Sequence, residues 1–82
     1  MMPLTDAERR LLVETAFAGI NHGLQRQVRA ILPAFPCLVA DENLRAICLA
    51  ILFAGLNEPG RARQLLVGME IPEADSLRSF LV

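Results

Sequence analysis

Residues 43–69 read NLRAICLAILFAGLNEPGRARQLLVGM, and this stretch decides the fold. Its first half, from about Glu42 to Leu56, is almost wholly apolar. Leu44, Ile47, Cys48, Ile51 and Leu52 recur at the i, i+3, i+4, i+7 and i+8 spacing of one helical face, and Ala46, Leu49, Ala50 and Phe53 fill the opposite side. Asn57-Glu58-Pro59-Gly60 then interrupts, with Pro59 near a first helical position, where its missing N–H costs nothing. A one-sided helix follows, with Ala62, Leu65, Leu66 and Met69 on one stripe and Arg61, Arg63 and Gln64 on the other. The pattern predicts a helical hairpin whose first arm needs cover on more than one side.

Working outward, Thr5-Asp6-Ala7-Glu8 has the form of a capping box, so a helix is expected from about Asp6 to Asn21. Leu11, Leu12, Thr15, Ala16 and Gly19 make one face of it, and Val13, Phe17 and Ile20 the adjoining one. Asn21-His22-Gly23 ends it, with Gly23 suited to a left-handed position. A second helix, Leu24 to about Leu32, is expected to turn Leu24, Val28, Ile31 and Leu32 inward and Gln25, Arg26 and Arg29 outward. Pro33 and Pro36 break or kink it, and Phe35, Leu38 and Val39 pack as an irregular or short helical segment. Asp41 caps the central helix. Pro72 opens a last helix, about 73–81, with Leu77, Phe80, Leu81 and Val82 as its apolar side. No run alternates at period two, so the chain is expected to be all-α.

A shift of 34 residues lays one hairpin on the other. Ala16 falls on Ala50, Phe17 on Ile51, Gly23 on Asn57, Val28 on Ala62, Ile31 on Leu65 and Leu32 on Leu66. Thirty-four is the tetratricopeptide period, and small residues recur where two arms of such a hairpin approach closely. The expected organisation is one domain, 1–82, with repeat 1 about 6–35, repeat 2 about 41–69 and the C-terminal helix. A generic helical bundle is the alternative.

The composition narrows the function. In 82 residues, 54% hydrophobic content with few aromatics leaves more apolar side chain than a small core readily covers, which points to a partner. A net charge of −1, with all basic residues arginine and no basic patch, gives no electrostatic case for nucleic acid or an anionic membrane. The run from Ala46 to Leu56 is too short to span a bilayer, and residues 1–6 lack a signal-peptide pattern, so a cytoplasmic setting is expected. Cys37 and Cys48 have no metal-ligand or disulfide spacing. Cys48 reads as a small buried hydrophobe, and Cys37 as an exposed thiol with nothing nearby to lower its pKa. His22 is the one histidine, in a turn, with no Ser-His-Asp or Cys-His set around it. Asp41-Glu42 and Glu73-x-Asp75 sit at helix starts, where the dipole explains them. Arg26, Arg29, Arg61 and Arg63 read as solvated outer faces. The chain is expected to be non-enzymatic, without cofactor or metal.

If the first helix of each repeat lines a groove, its lining is Val13, Phe17, Ile20, Leu44, Ile47 and Ile51, with Arg10 and Asn21 toward the edges. Such a surface suits the apolar face of an amphipathic helix. The same six residues read equally as core.

The segments A-x-A-G-I-N-H-G (Ala16 to Gly23) and R-A-I-C-L-A-I-L-F-A-G-L-N-E-P-G-R-A-R-Q-L-L (Arg45 to Leu66) resemble the YscG/EscG/SsaH family of small tetratricopeptide-like chaperones of bacterial type III secretion systems. The similarity runs from about residue 7 to 70 and is most specific in the central hairpin. The resemblance implies a bacterial cytoplasmic chaperone, working with a small helical co-chaperone in a heterotrimer. It would hold the amphipathic helix of the needle subunit and prevent premature polymerisation. The six groove residues would then bind the needle subunit. The alternative is a helical adaptor or scaffold that dimerises, or binds another partner helix, through the same surface.

Overall fold

A computed structural model describes residues 3–81 and shows an all-α chain, with no strand among the described residues. The helices are α1 (Asp6–Asn21), α2 (Gln25–Ile31), α3 (Phe35–Leu38), α4 (Glu42–Gly55), α5 (Pro59–Leu65) and α6 (Pro72–Phe80), and a 3₁₀ turn at Leu32–Ala34 joins α2 to α3. The chain divides after Ala40 into two compact units. The division falls between the stretches expected as repeats 1 and 2, and α6 belongs to the second unit. Val82, expected on the apolar side of α6, lies outside the described residues.

Local chemistry sets the start of each unit's long helix. The Thr5 hydroxyl accepts from the Glu8 N–H at 3.1 Å, and a Glu8 carboxylate oxygen accepts from the Thr5 N–H at 2.8 Å. These two bonds satisfy donors that the first turn leaves open. The Thr5 backbone N–H, and then its hydroxyl, hold the Glu8 carboxyl below its ordinary pKa. The charged half of this cap is therefore in place above the usual Glu range and is lost as pH falls through the lowered value. At α4, Asp41 accepts from the Leu44 N–H at 2.8 Å.

Both hairpin turns are built in the same way. In the first unit, His22 N–H bonds Ala18 O, Gly23 N–H bonds Ile20 O at 3.2 Å, and Leu24 N–H reaches back to Gly19 O at 2.8 Å. Thirty-four residues later, Leu56 N–H bonds Leu52 O, Asn57 N–H bonds Ala54 O at 3.1 Å, and Glu58 N–H reaches Phe53 O at 2.8 Å. This is the Schellman arrangement, which needs a left-handed residue just past the helix. Gly23 (φ 72°) and Asn57 (φ 67°) supply it. The ends of α1 and α4, and both ends of α2 and α5, coincide under that shift.

Packing within each hairpin rests on small residues. In the first unit Ala16 and Gly19 are buried on α1 and Val28 on α2. A Cβ placed on Gly19 would stand 2.7 Å from Val28 Cγ2, so the arms meet where one side chain is missing. In the second unit the corresponding positions are Phe53 and Ala62: the bulk sits on the first arm and the small residue on the second. Ala62 and Ala50 are buried in a cluster with Leu66, Ala74 and Leu81, and Ile47, Phe53, Leu65, Met69, Ile71 and Leu77 pack against it. Phe35, Leu38 and Val39 are buried in the first unit, and Arg9 Nε donates to Cys37 O at 3.2 Å, tying α1 to α3.

Several expectations require correction. The second arm of the central hairpin does not run on toward Met69. It ends at Leu65, and Gly68 turns the chain at φ 80°. Leu24, expected inward, is 46% exposed, because the turn places it as the residue before α2 begins. Phe80 is 86% exposed, and the apolar packing of α6 runs through Ala74 and Leu77, with Leu81 just past its end. Arg63 is more than a solvated face residue, since it donates to Leu81 O. Arg78 bonds Leu66 O at 2.6 Å, Met69 O, and Asp75 at 2.5 Å, which fastens α6 to the end of α5.

The Gly19–Val28 contact gives a signed prediction. Gly19→Ala is expected to lower Tm, because overpacking against a stiff β-branched side chain costs about 1–3 kcal/mol while helix propensity returns only about 1 kcal/mol. In a Val28→Ala background the same change is expected to raise Tm. Thermal unfolding of the parent and the three variants checks this, and Gly19→Ala stabilising the chain in both backgrounds would refute the close approach.

Candidate functional site

The six residues expected to line a groove fall into two stripes, one in each unit. Val13, Phe17 and Ile20 follow i, i+4, i+7 on α1, and all three are half-buried. Leu44, Ile47 and Ile51 follow i, i+3, i+7 on α4, where Leu44 is 55% and Ile51 39% exposed. Ile47 is half-buried against the Ala50–Ala62–Leu66 cluster. None of the six is fully buried. Arg10 and Asn21, placed at the edges, are exposed.

The helical period explains why these residues stay open. On α4 the side turned to α5 is carried by Ala50, and the buried Leu52 lies on a separate side. A helix apolar all round, with few of its residues fully buried, keeps an unsatisfied stripe, and Leu44 and Ile51 are where it surfaces. Other large apolar side chains are exposed as well: Leu11, Leu24, Val67 and Phe80. Sequence reasoning placed Leu11 and Phe80 on apolar faces, and it did not single out Val67.

Of the chemically versatile residues, His22 and Cys37 lie outside these stripes, while Cys48 lies along the α4 stripe, one turn from both Leu44 and Ile51. His22 is exposed at the C-cap of α1. Cys37 is exposed, and Cys48 is half-buried rather than fully covered. Burial pushes the Cys48 thiol above its ordinary pKa, which makes it a poorer nucleophile near neutrality. Among the described residues, no group of three or more His, Cys, Asp or Glu side chains is placed to hold a metal ion. No described helix is long and apolar enough to cross a membrane.

One cleft lies in the second unit, of about 230 Å³ and lined by Phe53, Arg61, Gln64 and Leu65. The Arg61 guanidinium sits over the Phe53 ring, 5.3 Å from its centroid. Its nearest carboxylate contact is Glu58 at 3.8 Å. Sequence reasoning missed this pairing. The eight-residue separation crosses the hairpin turn, and only the folded arms bring ring and cation together.

The thiols give a direct readout. At pH 8, alkylation followed by mass spectrometry is expected to label Cys37 first and Cys48 severalfold more slowly. Equal rates in the native protein, with the difference absent in denaturant as well, would contradict the shielding of Cys48.

No curated protein and no solved structure gives a significant match to the chain. One family profile does match, over residues 17–81, which takes in all of the second unit except its last residue and most of the first. The chain belongs to the family described as protein of unknown function (DUF1039).

Proposed function

We propose that this protein is a tetratricopeptide-like chaperone of a bacterial type III secretion system. It holds the amphipathic helix of the needle subunit, together with a small co-chaperone, in the bacterial cytoplasm. The observation that carries the reading is the apolar stripe of α4, where Leu44 and Ile51 remain open to solvent. Its counterpart on α1, Val13, Phe17 and Ile20, is half-buried. Stripes of this spacing engage the i, i+3, i+4, i+7 anchors of a partner helix. Further support comes from the matching construction of the two turns, 34 residues apart, and from the resemblance of Ala16–Gly23 and Arg45–Leu66 to the YscG/EscG/SsaH chaperones.

The action requires no bond-making. A subunit that polymerises through an apolar helical face is kept monomeric when that face is covered, and release restores it. The chaperone's contribution is competition, set by how much apolar area the stripes remove from water.

Aspartate at the stripe positions is the test. Leu44→Asp and Ile51→Asp are each expected to weaken capture of the needle subunit by about tenfold or more, the loss of roughly 1.5–3 kcal/mol from one apolar anchor. Phe17→Asp is expected to do the same from α1. Far-UV circular dichroism should be largely unchanged in all three. Val67→Asp, at an exposed apolar position outside the stripes, is expected to bind as the parent does. Unfolding of all three stripe variants would place these residues in the core, and full retention of capture would refute the assignment.

A further inference from the structure

The cleft between α4 and α5 lies on a different side of α4 from the proposed helix-binding stripe. Phe53 follows Leu44 by nine residues, which at about 100° per residue puts the two half a turn apart. Its walls combine three kinds of surface. Phe53 and Leu65, both half-buried, give an apolar floor. The Arg61 guanidinium is held over the ring, so part of the entropy of fixing it is already spent in the free protein. Gln64, one turn along α5 from Arg61, adds an amide at the same opening.

This set has a chemical complement. A guanidinium fork with an adjacent amide donor recognises a carboxylate, and an apolar floor covers an aliphatic stem. Arg61 has spare capacity for such a ligand: its side chain is 62% exposed, and Glu58 at 3.8 Å lies beyond hydrogen-bonding distance of it. We infer that the Phe53–Arg61–Gln64–Leu65 cleft is a docking site for a glutamate side chain of a partner polypeptide, with the carboxylate on Arg61 and Gln64 and the methylenes against Phe53 and Leu65. Charge complementarity selects this occupant, and a cleft of about 230 Å³ has room for one such side chain. Glu58 is the built-in competitor, since its carboxylate faces the same guanidinium. The inference concerns a second surface and stands independently of the needle-subunit reading.

The full chain, ¹⁵N-labelled, is titrated with the peptide acetyl-Leu-Glu-Leu-amide and, separately, with acetyl-Leu-Gln-Leu-amide. The glutamate peptide is expected to give saturable shifts at the Arg61 Nε–H, the Gln64 side-chain amide and the Leu65 backbone amide, while the glutamine peptide leaves them still. Arg61→Gln is expected to weaken binding about tenfold, the worth of one charge-assisted hydrogen bond. Glu58→Gln is expected to tighten it. Saturable binding of hexanoate without binding of the glutamate peptide would overturn the inference in favour of a free acid. Absence of saturable shifts, or an Arg61→Gln variant that binds unchanged, would overturn it outright.

Discussion

The close approach of paired helices at small residues is the constraint on which the rest of the structure depends. Ala16 and Gly19 let α2 bring Val28 against α1, and Ala62 plays the reciprocal part against the arm carrying Phe53. In both units the connection between these arms is three residues long. The Schellman turn with a left-handed Gly23 or Asn57 is one of few ways to make it while satisfying the last carbonyls of the helix. The two units solve the volume problem in opposite directions. One removes the side chain from the first arm and the other from the second, and both keep the same turn bonds.

Economy at this interface has a consequence for the surface. Where α4 meets its hairpin mate through Ala50 and Ala62 little area is buried, so larger apolar side chains of α4 keep surface exposed away from that seam and along its edge. On α4 those are Leu44 and Ile51 on one side and Phe53 on the other. The first pair remains open as an apolar stripe, and Phe53 becomes the floor under Arg61. The proposed chaperone activity and the inferred glutamate site thus use different sides of one helix, and both arise because its tight packing is done by small residues.

The helices that carry strong punctuation were legible in the sequence. Thr5 with Glu8 and Asp41 mark two starts, Pro59 and Pro72 mark two more, and Gly23 and Asn57 mark the turns. The end of α5 was less legible, because Leu66 and Met69 continue the apolar period past the point where Gly68 turns the backbone. Leu24 misled for a related reason. It is apolar and at helical spacing, but its N–H closes the turn on Gly19 O, which leaves its side chain half exposed at the edge of the hairpin. The ties from Arg63 and Arg78 go to backbone carbonyls, which every residue possesses, so no sequence pattern announces them. Of the candidate surfaces, the residue types of the two stripes could be read in advance. Which of them stay open depends on what covers each side, and the Phe53–Arg61 stack depends on the folded turn.

The central claim is that this chain leaves apolar helix faces open for partners within a defined complex. Size-exclusion chromatography with light scattering tests it most directly, on the chain alone and co-expressed with the type III needle subunit and co-chaperone that the proposal assigns to it. The account predicts a poorly behaved lone chain and a soluble one-to-one-to-one complex in which the needle subunit is monomeric. A stable lone monomer or homodimer that ignores both partners would contradict it.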